Sequence, residues 1–119
     1  MPLRYQPAAR TDIKDALRWS LLHFGEKALR RYKRLIEVAL LDIATNPLRT
    51  HSYELSGLQP GIRFYHLRHS RQRARVEGQV VREPRHFIVY RCEHIETVII
   101  RLPHERMEIT RHLENPDEG

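Results

Sequence analysis

The chain has 119 residues, about the length of one domain, and its 40% hydrophobic content is enough for one core. Lysine and arginine number 21 against 15 acidic residues; the net charge of +6 with neutral histidine points to an acidic partner, either nucleic acid or protein. No stretch approaches the roughly 18 apolar residues of a membrane span, and the first residues lack the apolar core of a signal peptide, so we expect a cytoplasmic protein without a membrane partner.

The first half of the chain predicts a short strand followed by a helical hairpin. Residues 3–6 form an extended run that Pro7 stops, and a helix begins at Pro7 because proline is tolerated in a first helical turn. Gly25 ends this helix as a left-handed cap. A second helix runs from about Glu26 to Asn46-Pro47, since the residue before a proline is disfavoured in the helical region. Apolar residues recur at spacings of three and four in both helices: Ile13, Leu17, Leu21 and Phe24, then Tyr32, Leu35, Ile36, Ala39, Leu40 and Ile43.

The second half predicts three strands rich in aromatic and β-branched residues, at 62–67, 87–90 and 97–100. The last two are joined by a short link and form a hairpin. With residues 3–6 as a further strand, the sheet has about four strands of antiparallel type and packs on the helical hairpin. The expected fold is therefore α+β with two layers, in the order β-α-α-β-β-β-α.

Four further segments complete a single domain that spans residues 1–119. Residues 46–61 have the composition of a loop. Residues 68–84 are polar and rich in arginine, and they predict a basic inserted loop. Residues 105–113 predict a short terminal helix, and residues 115–119 a frayed tail.

Metal and cofactor chemistry is disfavoured by the spacing of the candidate residues. The eight histidines lie outside any ligand motif such as H-E-x-x-H, so we expect no metal. Cys92, the only cysteine, forms no internal disulfide and lacks the local signature of a nucleophile. Gly57 and Gly61 lack the G-K-[ST] ending of a phosphate loop. These observations favour a protein that binds a macromolecule over an enzyme that uses a cofactor.

Nearly all of the positive charge is guanidinium, because lysine occurs only at Lys14, Lys27 and Lys33. The planar fork of arginine suits bidentate contacts with phosphate and carboxylate. In the central strand Arg63 and Tyr65 alternate with other residues, so the two faces of the strand differ. We expect one face to pack on the helices and the face with Arg63 and Tyr65 to stay open for a partner. The alternative is a solvated sheet face whose cations only raise solubility.

Several stretches, taken in order, resemble the ParE branch of the RelE/ParE toxin superfamily. They are residues 7–13 (PAARTDI), 24–26 (FGE), 46–47 (NP), 58–63 (LQPGIR), 85–91 (RHFIVYR) and 98–107 (VIIRLPHERM). The resemblance covers nearly the whole chain, and the fold that it implies agrees with the one predicted from periodicity. Residues 68–84 depart from the family, since many relatives cross here with a tight turn. This segment is either an arm that binds the target or simply a longer hairpin.

The resemblance implies the toxin of a type II toxin–antitoxin system, which binds DNA gyrase. It also implies neutralisation by a ParD-like antitoxin, through an acidic and amphipathic helical segment, in a hetero-oligomer. The implied surface for target and antitoxin consists of Arg63, Tyr65, Arg85, Arg91, Arg101, His104 and Arg106.

Two alternatives remain open at this stage. The first is a RelE-like, ribosome-dependent endoribonuclease that cleaves mRNA, in which Arg63, Arg91 and Arg101 hold a phosphate and His104 transfers a proton. The stretch after His104 contains no tyrosine, which favours the ParE branch. The second is a toxin-derived domain that has lost its activity.

Overall fold

The order of elements follows the sequence prediction closely. The computed structural model describes residues 2–55 and 61–106. Its elements are β1 (Leu3–Tyr5), α1 (Pro7–Phe24), α2 (Glu26–Thr45), β2 (Tyr53–Glu54), β3 (Ile62–His66), a 3₁₀ helix (Leu67–Ala74), β4 (Phe87–Cys92) and β5 (Thr97–Arg101). None of the helices in these ranges is long and apolar enough to cross a membrane.

The two helices begin and end where the sequence predicts. Pro7 occupies the first turn of α1, where a missing N–H costs no hydrogen bond. Gly25 separates the helices with a φ of +89°, a conformation that favours glycine, and its N–H donates to the carbonyl of Leu21 at 2.9 Å. Asn46 has an extended backbone and ends α2. The helical hairpin predicted from the apolar periodicity is confirmed.

The sheet has five strands, in the order β1-β5-β4-β3-β2, and is mixed rather than purely antiparallel. β1 runs parallel to β5, with Leu3 opposite Thr97, and the other neighbouring strands are antiparallel. β2 lies in the segment predicted as a loop, and its two residues are too few to produce an alternating pattern. The prediction of a two-layer α+β fold is confirmed, with one strand more than expected.

The main core lies between the helical hairpin and one face of the sheet. Leu35 and Ile43 of α2 pack there with Ile88 of β4 and Ile99 of β5, and all four are fully buried. Each such aliphatic side chain contributes about 1.5–3 kcal/mol relative to an exposed one. The opposite face of the sheet carries a smaller cluster, which consists of Ile62 and Val89 with Leu55, Phe64 and Ile100 packed against them.

The expectation that Arg63 and Tyr65 face an open side of the sheet is wrong. Tyr65 pairs with Ile88 and Arg63 pairs with Tyr90, and this row of side chains faces the helices. Tyr65 is 1% exposed, and Arg63 donates to the hydroxyl and carbonyl oxygens of Ser52 at 2.9 and 2.8 Å. The predicted alternation is correct, but its direction is reversed. Both rows are apolar enough for a core, so periodicity alone does not say which row the helices cover.

The segment predicted as a basic loop begins with the 3₁₀ helix, which packs against α2. Its buried Ser70 donates to the carboxylate of Asp42 at 2.7 Å, and Arg73 donates to the other carboxylate oxygen. Arg49 donates to the Asp42 carbonyl at 3.1 Å. We call these four residues the Asp42 junction. Because Asp42 is 2% exposed, its charge requires such partners, and they fix this segment to α2.

Two predictions about the end of the chain fall mainly outside the described residues. The terminal helix predicted at 105–113 is described only at Glu105 and Arg106, which form a turn. The frayed tail predicted at 115–119 lies beyond the described ranges.

Candidate partner-binding groove

An open groove of about 1050 Å³ runs along the helical hairpin, beside the start of β4 and the end of β5. α1 and the beginning of α2 form one side, and residues 79–86 and 102–106 form the other. Trp19 and Phe24 of α1 are 49% and 66% exposed, with ring centroids 5.4 Å apart. Adjacent exposed apolar side chains mark a surface for a partner. The apolar lining consists of Ala16, Trp19, Phe24, Ala28, Val80, Val81 and Leu102.

His86 and His104 line the groove as direct neighbours. They form an isolated antiparallel bridge, flanked by two backbone hydrogen bonds of 3.0 and 2.7 Å that join residues 85–87 to residues 103–105. The two side chains therefore lie on one face, and their ring centroids are 5.3 Å apart. No group of three or more potential metal ligands occurs among residues 2–55 and 61–106.

The hydrogen bonds of Tyr32 determine where His86 carries its proton. The Tyr32 hydroxyl accepts from the Arg85 backbone N–H at 3.0 Å, so its own proton is donated to His86 Nδ1 at 2.6 Å. Because Nδ1 is an acceptor, neutral His86 carries its proton on Nε2. Burial, aided by the nearby His104, lowers the pKa of His86 to about 4, so the ring is neutral at pH 7. Burial also raises the pKa of Tyr32 to about 12, which keeps its hydroxyl protonated.

A second hydrogen-bonded group anchors the segment that carries His104. His66 Nδ1 accepts from the Arg68 N–H at 3.0 Å, so its Nε2 carries the proton donated to Glu105 at 3.0 Å. Arg85 donates to the other oxygen of Glu105 at 2.8 Å. Because Arg85 and His66 both donate to it, the pKa of Glu105 falls to about 2, and burial lowers the pKa of His66. Glu105 is therefore a fixed anion beside the groove.

The structure brings three of the seven predicted binding residues together in the groove: Arg85, His104 and Arg106. The guanidinium of Arg85 is already bound by Glu83 at 2.6 Å and by Glu105 at 2.8 Å. Arg106 is exposed, and its side chain has no partner among the described residues. Of these three, His104 and Arg106 are therefore available to another molecule.

The other predicted residues lie elsewhere, with Tyr65 buried in the core. Arg63 and Arg91 point to opposite faces of the sheet, since they occupy alternate positions of the β3–β4 register. Arg101 donates twice to Asp12 of α1, at 2.7 and 3.0 Å. The structure therefore does not bring together Arg63, Arg91, Arg101 and His104, the set expected for the endoribonuclease alternative.

The groove also contains residues that the sequence prediction did not include. Arg31 and Arg82 line it, and neither side chain has a partner among the residues that the structure describes. Trp19 gave a usable signal, because it is a large apolar residue beside the apolar stripe of α1 rather than on it. His86 gave no signal of its own, and its pairing with the predicted His104 could not be read from the sequence, because only the fold brings the two together.

Comparison with known proteins identifies the protein family to which this chain is similar. A family model described as ParE toxin of type II toxin-antitoxin system, parDE, matches residues 3–109. The chromosomal ParDE TA system from P. aeruginosa superposes with a TM-score of 0.57 at 22% identity, over 87% of this chain and 95% of that chain. The E. coli DinJ-YafQ toxin-antitoxin complex superposes with a TM-score of 0.51 at 17% identity, over 87% of this chain and 91% of that chain. These two likenesses show a shared fold, and no protein of curated function matches in sequence.

Proposed function

Because the chain belongs to the ParE toxin family of type II toxin–antitoxin systems, we propose that it arrests growth by binding DNA gyrase. In this proposal it is neutralised by a ParD-like antitoxin encoded beside it. The antitoxin supplies an acidic, amphipathic segment that occupies the groove. Likeness to a ParDE system supports the pairing with an antitoxin, and the ordered ParE-like stretches of the sequence support gyrase as the target.

The distribution of charge and apolar surface in the groove is the observation that carries the antitoxin part of this proposal. Its apolar lining is bordered by the guanidinium groups of Arg31, Arg82 and Arg106, which have no partner within the described part of the chain. Two of its acidic residues, Asp12 and Glu83, already bind arginines of this chain. An amphipathic helix buries its apolar anchors against such a lining and places its carboxylates against the free cations.

A supercoiling assay with purified protein tests the proposal. We expect the chain to inhibit supercoiling by DNA gyrase, and we expect an equimolar amount of the antitoxin to restore it. Absence of inhibition at a large excess of protein would contradict gyrase as the target. Ribosome-dependent cleavage of mRNA by the same preparation would then support the endoribonuclease alternative.

A pair of charge reversals separates the groove from general electrostatic attraction. Arg106→Glu places a negative charge in the groove, so more antitoxin should be needed to restore supercoiling. Arg18→Glu makes the same change at an exposed position of α1 outside the groove, and it should leave the required amount nearly unchanged. Equal effects of the two variants would show that general electrostatic attraction, rather than contact in the groove, accounts for the change.

A further inference from the structure

Each histidine of the groove uses one ring nitrogen in a hydrogen bond and leaves the other without a partner in the part of the chain that the structure describes. Nδ1 of His86 accepts from Tyr32, and Nδ1 of His104 accepts from the backbone N–H of Arg106 at 3.1 Å. A ring nitrogen that accepts a hydrogen bond carries no proton, so both neutral rings are protonated on Nε2. Neither Nε2 has a hydrogen-bond partner in the described part of the chain, and neither is buried without one. The groove thus presents two adjacent N–H donors to solvent.

Two protonated nitrogens are suited to an anion rather than a metal ion. A metal needs the lone pair of a deprotonated ring nitrogen, and here both lone pairs are already used within the chain. The low pKa of His86, about 4, keeps that ring a neutral donor around pH 7. Arg106 follows His104 by two positions and adds an exposed positive charge.

We propose that His86 and His104 form a seat for one aspartate or glutamate side chain of the antitoxin segment, an inference that rests on the proposed function. The ring centroids are 5.3 Å apart and the ring planes meet at 77°, and in this proposal each oxygen of a single carboxylate accepts from one Nε2–H. The buried Leu102 belongs to the same groove lining, and a bound segment that excludes water there strengthens each hydrogen bond.

The surroundings favour a carboxylate over the phosphates of a nucleic acid. A nucleic-acid backbone carries regularly spaced charges and requires a stripe of cations. The groove instead combines a largely apolar lining with a few separate guanidinium groups, and Asp15 and Glu83 border it as well. One isolated carboxylate on an amphipathic helix fits this pattern, whereas a run of phosphates finds no continuous stripe of cations in the groove lining.

Nuclear magnetic resonance of the imidazole nitrogens tests the seat in the full chain without the antitoxin. Sodium acetate is added at pH 7 against sodium chloride of equal ionic strength. We expect the Nε2 resonances of His86 and His104 to shift together on one saturating curve. His94, which is exposed on the β4–β5 link, serves as the internal control and should shift little. Shifts of the pair that only match those of His94 would overturn the proposal.

Two further titrations identify which anion binds and which imidazole N–H groups bind it. Inorganic phosphate replaces acetate in one arm, and preferential saturation by phosphate would overturn the choice of carboxylate. In the other arm, His104→Phe keeps a ring but removes the N–H, and it should weaken acetate binding about tenfold, as expected for a hydrogen bond to a charged group. His94→Phe is the matched control and should leave binding unchanged. Supercoiling measured on the same preparation tests the proposed function independently of these results.

Discussion

The Asp42 junction and the groove histidines both place polar side chains next to the core, but they use their hydrogen-bonding groups differently. At the junction both carboxylate oxygens of Asp42 are occupied, one by Ser70 and the other by Arg73. In the groove, His86 and His104 each use one nitrogen within the chain and leave the other without a partner among the described residues. The first arrangement joins α2 to the 3₁₀ helix, whereas the second offers donors to another molecule.

The arginines show the same contrast. Arg63 and Arg101 are held by side chains or carbonyl groups of the chain itself, and such contacts serve the fold. Arg31, Arg82 and Arg106 line the groove without a partner in the described part of the chain. A high arginine content therefore does not measure a binding surface. Among the described residues, the arginines available to a partner in the groove are those that line it without a partner of their own.

The largest expected effect lies at the Asp42 junction. Asp42→Asn removes a buried negative charge and leaves Arg73 and Ser70 with a poorer acceptor, so we expect the free energy of unfolding to fall by about 3 kcal/mol. Urea unfolding at pH 7 measures it. Asp15→Asn, at an exposed position of α1, is the control and should stay within about 0.5 kcal/mol of the original chain. Equal losses in the two variants would show that the junction does not stabilise the fold.

Acidification should weaken the fold through histidines of both regions. The pKa of His86 in the groove and that of His69 in the 3₁₀ helix are lowered to about 4, chiefly by burial, from an ordinary value of 6.5. As the pH falls through 6.5 the unfolded chain takes up protons first, so the stability that the neutral rings contribute is lost toward pH 4. At pH 5 we expect a loss of about 1–2 kcal/mol through His86 and a smaller loss through His69, because solvent screens the more exposed ring.

Urea unfolding at pH 7 and pH 5 measures this loss. His86→Gln and His69→Gln, tested separately, should each reduce the difference between the two pH values. If only one of them does so, the acid response belongs to that region alone. A stability that does not change between pH 7 and pH 5 would contradict the expected protonation.

The smallest effect on stability is expected at the groove arginines that have no partner among the described residues. The same change should have a clear effect on binding. Arg82→Gln removes an exposed charge without a partner in the described part of the chain, so the free energy of unfolding should change by less than about 0.5 kcal/mol. Association with the antitoxin at low salt should slow about threefold, because charges at the edge of an interface mainly raise the association rate. Surface plasmon resonance at two salt concentrations measures this, with Arg18→Gln as the control. An unchanged rate for Arg82→Gln would place the antitoxin outside the groove.

The sequence predicted the elements of the fold well, because local physics decides them. The bounds of α1 and α2 follow from Pro7, Gly25 and Pro47, whose backbone restrictions act without any tertiary context. The strands at β3, β4 and β5 follow from runs of branched and aromatic residues. β2 has only two residues, too few for a recognisable run of branched and aromatic residues. The parallel pairing of β1 with β5 could not be predicted locally, because it depends on how the helical hairpin and the later strands pack together.

The site was less predictable, because it depends on contacts between distant parts of the chain. The alternation of side chains in β3 places Arg63 and Phe64 on opposite faces of the sheet, but it does not say which of the two faces packs against the helices. Residue type does not reveal that Arg101 is bound by Asp12 while the Arg106 side chain has no partner among the described residues. The pairing of His86 with His104 requires the bridge between two segments that are remote in sequence. Resemblance to the family predicted the kind of partner without supplying these contacts.

β1 pairs with a strand from almost the opposite end of the described chain. Leu3 lies opposite Thr97 and Tyr5 opposite Ile99, so during synthesis the first strand has no sheet edge to join until β5 has left the ribosome. The helical hairpin, whose contacts are local, forms well before that point. One side of the groove therefore exists early, while the side with His86 and His104 is added last. The groove is therefore complete only after β5 and residues 102–106 have been synthesised.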